Sequence, residues 1–564
     1  MEFRPRSSLN PALTGVMYGS SSNDRMKNVL DMALLCNLNT VYSIRVETSS
    51  PWCLSGNMAW IKRAMAAYWD ANQPIPRHTH PHKRAAMRNI SMTADTAAFL
   101  DEVTRRILDH VQAKDQSLRV NPPSSLASMR RTLDLALPLE GFGMDSVLDD
   151  LDTYIAHSVK TNRSEFMNPL WGGLSLPALA GELIASATNN SMYTYELSPM
   201  GTLIEQTVIK RMCELVGFPD GFGTFTTGGS NGNMLGMLCA REHLVPGSTK
   251  SGFDGRNMAV FVSAEAHYSV LMSANVIGIG HQNIIKVNCD GDGRMRPESL
   301  VEEIAFARQE GLTPFCVVAT AGTTVRGAYD PLDALAEVAH REGLWLHVDA
   351  AWGGACLFSN THASLMEGVE KADSVCWDAH KMMSVPLMCS VFLIKEPGIL
   401  RRLCDHTNVA HYLFHSEAAL DDLGRYSLQC ARRNDALKLW IEWRVRGDAG
   451  WASMVDEHMD DADYLEEAIV AHPSLEMVSS RMWTNVCFRF THDGDVDLNE
   501  VNAEIRHRLL QEGSFMVSRS NIGDDVILRM VLVNQNVTRD SLDRFLERVV
   551  HHGEEICRGI PAQG

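Results

Sequence analysis

From residue 151 to about 400, short β-branched runs alternate with helical stretches, and few folds accept that alternation. The runs predict strands at Ala259–Ser263, Ile284–Asn288, Cys316–Thr320, Leu344–Asp349, Ser374–Trp377 and Ser390–Ile394. Strands joined through helices pair in parallel, because a parallel crossover needs a dozen or more residues. A layered α/β fold is expected, and in such a sheet ligands bind beyond the carboxyl ends of the strands.

The flanking regions read differently. Residues 1–150 carry helical patterns at Met26–Leu38 and Thr96–Val111, together with a Pro- and His-rich stretch from 74 to 82. The run His78-Thr79-His80-Pro81-His82 reads as a polar loop between proline turns, and no metal site is expected. Residues 431–564 open with a helical pattern at Asp435–Val445. They continue with strands at Asn485–Phe490 and Val526–Val533, separated by a helix near Leu498–Glu512. Three regions are therefore expected: 1–150, helical and suited to a dimer interface; 151–430, the large domain; and 431–564, a smaller α/β domain.

Composition removes several functions. A formal charge of −18 repels phosphate backbones and anionic membranes, so neither nucleic acid nor membrane is an expected partner. No run of about eighteen apolar residues suggests a membrane-spanning helix. The start, Met-Glu-Phe-Arg-Pro-Arg, lacks the apolar core of a signal peptide. The 13 cysteines are scattered singly, which reads as reduced thiols in a cytoplasmic protein.

Residues capable of chemistry follow the strand candidates. Thr226-Thr227-Gly228-Gly229-Ser230-Asn231-Gly232-Asn233 precedes a helical run at Met234–Leu244; glycines and a helix N-terminus suit a phosphate, although such turns also occur without one. His267, just past a strand, serves either as a flat partner for an aromatic ring or as a helix cap. Ala319-Thr320-Ala321-Gly322-Thr323-Thr324 is either an ordinary turn or the edge of a ligand site. Asp349 ends an apolar strand, where a carboxylate is rare unless paired. Lys381 sits beside an apolar stretch that predicts a depressed, nucleophilic amine. An amine that condenses with an aldehyde and a fixed anion that protonates a ring nitrogen are what pyridoxal phosphate requires.

In that order the chain resembles the group II pyridoxal-phosphate-dependent amino acid decarboxylases, in particular the glutamate and cysteine sulfinate decarboxylase branch. The similar stretches include Tyr193–Pro199, Ala319–Asp330, Leu344–Gly354, His380-Lys381-Met382-Met383 and His411-Tyr412-Leu413-Phe414. Leu428–Arg432, Leu437–Trp440, Thr484–Phe488 and Leu528–Val531 extend the match over roughly residues 150 to 550.

The resemblance implies the fold type I architecture of pyridoxal-phosphate-dependent transferases. That is an α/β fold with a mostly parallel seven-stranded sheet in a large domain, a small C-terminal domain, and a homodimer with its active site at the subunit interface. It implies that Lys381 carries the cofactor, Asp349 pairs with its ring nitrogen, His267 stacks on the ring and Ala351 packs the other face. Ser230, Asn231, Thr323 and His380 are implied near the cofactor, Tyr412 as proton donor, and Arg529 with Asn168 as substrate contacts. The expected reaction is α-decarboxylation of a small acidic L-amino acid: glutamate, aspartate or cysteine sulfinate. The alternatives are an aliphatic or other non-acidic substrate, a lyase or aminotransferase on the same fold, and a non-catalytic scaffold. Two departures bear on these expectations. The family's Asn-Pro-His-Lys is here Asp378-Ala379-His380-Lys381, and a pocket glutamine is replaced by Pro169, followed by Leu170 and Trp171.

Overall fold

The computed structural model describes residues 94–559 apart from 113–118, 123–124, 407–408 and 416–421. The helical pattern expected at Met26–Leu38 and the histidine run at 78–82 lie outside the described residues. The first strand, β1 (Phe166–Met167), leaves for a small sheet, and the next seven build a large one. These are β2 (Phe222–Thr226), β3 (Met258–Ser263), β4 (Ile284–Val287), β5 (Thr313–Thr320), β6 (Trp345–Asp349), β7 (Ser374–Asp378) and β8 (Ser390–Ile394). Their order is β2-β8-β7-β6-β5-β3-β4. Pairing is parallel from β4 through β7, while β8 runs antiparallel to both of its neighbours. The mostly parallel seven-stranded sheet is the one expected.

Its strands are apolar on both faces because helices cover both. Alternation sends Phe261, Val317, Leu346 and Val348 to one side, against the helices Pro199–Val216, Pro297–Gln309 and Leu332–Arg341. Val260, Val262, Cys316 and Val318 face the helices Gly229–Leu244, Ser269–Val276 and Pro397–Cys404. Each large apolar side chain so buried contributes about 1.5–3 kcal/mol. Strand β2 escapes a reading based on β-branched runs because its sequence is Phe-Gly-Thr-Phe-Thr. Its glycine is required: a Cβ on Gly223 would stand 2.2 Å from the Phe392 carbonyl oxygen on β8.

The small sheet adds β9 (Leu475–Met477), β10 (Asn485–Phe490), β11 (Met516–Ile522) and β12 (Asp525–Val531), in the order β1-β11-β12-β10-β9. Helices Leu498–Glu512 and Arg539–Gly559 place Val501, Ile505, Phe545 and Val549 over Val486, Phe488, Leu528 and Met530. The helix predicted at Asp435–Val445 begins a span that reaches Ala471 and is broken at Gly447, where φ is 64°. Among the described residues no helix is long and apolar enough to cross a membrane.

Candidate active site

Because β8 opposes both β2 and β7, those two strands point the same way, and β2, β3, β5, β6 and β7 all end at one edge. The turns that follow enclose a cavity of about 250 Å3. Ser230, His267, Asp349, Ala351, His380 and Lys381 all line it. Topology thus brings together residues spread in sequence from Gly228 to Met388.

Asp349 is 6% exposed at the end of β6. Its Oδ2 accepts a hydrogen bond from Asn233 Nδ2 at 2.8 Å, and its Oδ1 accepts one from the Ala351 amide at 3.2 Å. Behind it runs a directed series of donors: Trp345 Nε1 to Ser374 Oγ at 2.9 Å, Ser374 Oγ to His347 Nδ1 at 2.9 Å, and His347 Nε2 to Asn233 Oδ1 at 3.0 Å. The series is satisfied when His347 carries its proton on Nε2. Burial pushes the His347 pKa down to about 4, so the ring is neutral at physiological pH. The relay fits close under the helix, since a Cβ on Gly236 would lie 2.4 Å from His347 Nδ1. It holds one carboxylate in one orientation, facing the cavity.

Lys381 departs from the expectation of a depressed amine. Burial pulls its pKa down, but the carboxylates of Asp378 and Asp349 outweigh burial and hold it above the ordinary lysine value. The apolar run Val385–Leu387 therefore does not set its charge. Asp378 does, with Oδ2 3.2 Å from Lys381 Nζ. His380 Nε2 lies 3.6 Å from the same carboxylate oxygen, while its Nδ1 lies 2.9 Å from the Cys389 carbonyl oxygen and 3.1 Å from the Cys389 amide nitrogen. Burial lowers the His380 and His267 pKa values, with nearby carboxylates opposing.

Two residues expected near the cofactor are not among those lining the cavity. Asn231 is one residue past Ser230 on the helix, about 100° around its axis, and it is Asn233, three past Ser230, that lines the cavity. Thr323 is fully buried, its hydroxyl accepting the Ala328 amide at 3.0 Å to close the turn. Thr320 and Thr324 line the cavity in its place. Both lay in stretches legible in the sequence: Asn233 closes the glycine-rich run from Thr226, and Thr320 belongs to the Ala319–Thr324 run read as a turn or a ligand-site edge.

Arg529, on β12, is 8% exposed. It donates from Nη1 to the Thr324 carbonyl at 2.7 Å and from Nη2 to Ser518 Oγ at 3.0 Å. Ser518 donates in turn to Asn168 Oδ1. No carboxylate pairs with Arg529 among the described residues, and its Nε is buried without a hydrogen-bond partner. Asn485 ties the same loop down, donating to the carbonyls of Thr324 at 3.2 Å and Val325 at 3.0 Å while accepting Trp352 Nε1 at 2.7 Å. Tyr412 is 71% exposed and lies outside the cavity lining of its own chain. Other matched motifs are structural: Arg432 makes a two-point buried ion pair with Glu205, both contacts at 2.7 Å, and Lys438 reaches Glu182 at 2.9 Å.

The residues present fit pyridoxal phosphate. Lys381 offers the amine and Asp349 a fixed anion. Gly228, with φ of 108° and open space at its Cβ position, starts a cradle at a helix N-terminus. The buried Thr320 hydroxyl has no partner among the described residues.

Residues 127–491 match the pyridoxal-dependent decarboxylase conserved domain. The acidic amino acid decarboxylase GADL1 of Mus musculus is 38% identical over 478 residues, covering 81% of this chain and 86% of the relative. Cysteine sulfinic acid decarboxylase of Homo sapiens is 37% identical over 443 residues, covering 76% and 90%. The crystal structure of mouse CSAD superposes with a TM-score of 0.79 at 35% identity, covering 82% of this chain and 99% of that one. The chain belongs to the pyridoxal-dependent decarboxylase family, and its cofactor is pyridoxal 5′-phosphate.

Proposed function

We propose that this protein removes the α-carboxylate of a small acidic L-amino acid (aspartate, glutamate or cysteine sulfinate), releasing carbon dioxide and the amine. The observation that supports the substrate class is Arg529, which lies outside the cavity lining but is hydrogen-bonded to Thr324, which lines it. A buried guanidinium without a carboxylate partner is costly, and an anionic side chain of the substrate is the group that would complete it. Ser518, itself bonded to Asn168, sets its orientation. The names of the relatives, an acidic amino acid decarboxylase and a cysteine sulfinic acid decarboxylase, agree with this class.

Bound pyridoxal phosphate supplies the electron sink for the pair left behind by the departing carboxylate. Lys381 would tether the cofactor through its amine, the position that the substrate amine takes when it binds. Asp349, oriented by Asn233 and His347, holds a proton on the ring nitrogen. His267 and Ala351 would hold the ring, and Ser230 and His380 the phosphate. Walls formed by Trp352, Thr324 and Met388 would limit water and hold the substrate in one orientation.

Protonation of the substrate Cα falls to Tyr412, which we place in the active site of a second copy of the chain. Homodimerisation is supported by apolar side chains left exposed on the described chain, among them Leu135, Leu137, Leu139, Leu183 and Leu203. A cytoplasmic location agrees with the free cysteines of the described residues. The reaction is tested by its products, which should be carbon dioxide and amine in equal amounts. Tyr412→Phe should divert the proton to the cofactor's C4′ carbon, so that pyridoxamine phosphate accumulates and activity decays during turnover. Steady amine formation by that variant without pyridoxamine phosphate would remove Tyr412 from the mechanism.

A further inference from the structure

Asp378 stands where the family pattern has a neutral amide, and it does not turn away from the glycine turn. A Cβ on Gly229 would lie 2.8 Å from Asp378 Oδ2, so this carboxylate abuts the first turn of the Gly229–Leu244 helix. The free amides and dipole at that helix end are also what a phosphate seeks. Asp378 is 3% exposed, and its Oδ1 has no hydrogen-bond partner among the described residues. A buried carboxylate therefore already stands beside that helix end.

We propose that Asp378 makes docking of the cofactor phosphate proton-coupled, with carboxylate and phosphate sharing one proton at the glycine turn. The proton comes from bulk water, the bond formed is a single O–H, and no electron moves. Two oxyanions in contact in a buried site do not both stay fully ionised. A phosphate monoester, with a second pKa near about 6, keeps that proton accessible around neutrality. The orphaned Oδ1 is the oxygen free to share it.

The groups facing Asp378 come from every neighbouring turn. Lys381 and His380 share its own turn, Cys376 lies on β7, Cys389 leads into β8, and His267 follows β3. Asp349 acts on the same Lys381 amine. Against burial, Lys381 and His380 keep the Asp378 carboxyl below its ordinary value, so it is ionised before the phosphate arrives.

The inference rests on reading the Gly228–Ser230 turn as the phosphate cradle. Its test uses the full-length protein freed of cofactor, titrated with 4-deoxypyridoxine 5′-phosphate, which lacks the aldehyde and cannot condense with Lys381. Calorimetry in two buffers of different ionisation enthalpy counts protons directly. The wild-type protein should take up close to one proton per site at about pH 8, with affinity falling about tenfold per pH unit above neutrality. Asp378→Asn should remove that uptake, flatten the slope and bind about tenfold or more tightly at the same pH. The unphosphorylated ligand, 4-deoxypyridoxine, should show neither uptake nor gain.

Absence of uptake in the wild-type protein overturns the proposal, and that measurement holds whether or not the variant folds. An equal gain with both ligands also overturns it, because the carboxylate would then act away from the phosphate. Borohydride reduction with pyridoxal phosphate reports separately on the cofactor site. A labelled Lys381 without proton uptake defeats the proposal alone, whereas an unlabelled Lys381 defeats the reading beneath it.

Discussion

Asp349→Asn should lower kcat by about three orders of magnitude while the cofactor stays attached to Lys381. The substitution keeps size and shape and removes charge, so the loss reports the charge. Two unit charges about 4 Å apart in surroundings of effective permittivity ~20 interact by about 4 kcal/mol. Each 1.36 kcal/mol is about tenfold in rate. The buried relay behind Asp349 leads to a graded companion result. Asn233→Ala removes a hydrogen bond to a charged group, about 1.5–3 kcal/mol, and should cost about one to two orders of magnitude. Both variants should retain the absorbance of the Lys381-bound cofactor. A kcat for Asp349→Asn within a factor of ten of wild type would show that the ring nitrogen does not depend on this carboxylate.

Arg529→Gln should weaken kcat/KM for the acidic substrate by about 2–5 kcal/mol, roughly 30-fold to several thousandfold, chiefly through KM. The same variant should lose no thermal stability, and can gain some. In the ligand-free protein Arg529 is a buried cation with neutral acceptors at Thr324 and Ser518 and no carboxylate. Replacing it by a neutral side chain removes an uncompensated charge. A purely structural arginine would give the opposite pair of results: KM unchanged and the melting temperature lowered. That outcome would shift the substrate class toward the non-acidic alternatives.

Much of this site could be read from the sequence because its chemistry sits where strands stop. Buried strands such as Trp345–Asp349 and Ser390–Ile394 are short, apolar and β-branched, so their ends are visible in one dimension. The turn after β2 was visible through its glycines, although β2 itself was hidden by Gly223, which breaks its short run. What could not be read was direction. Asn231 against Asn233, and Thr323 against Thr320 and Thr324, differ by which way a helix or turn points each side chain. The charge of Lys381 was misjudged for a related reason. Local apolar composition argued for a depressed amine, while the carboxylates that reverse it come from the start of its own turn and from the end of another strand. The polar strand β11 gave no β-branched signal, yet it supplies Ser518, which holds Arg529.

The most direct test of the account is carbon dioxide release by the purified, cofactor-loaded protein across separate amino acids. The set comprises glutamate, aspartate, cysteine sulfinate, valine, leucine and the aromatic residues. The account predicts release from at least one acidic member and little from the apolar ones. Release from apolar members alone would keep the Lys381–Asp349 chemistry and contradict the role given to Arg529. No release from any member, with cofactor demonstrably bound at Lys381, would contradict the decarboxylase reading itself.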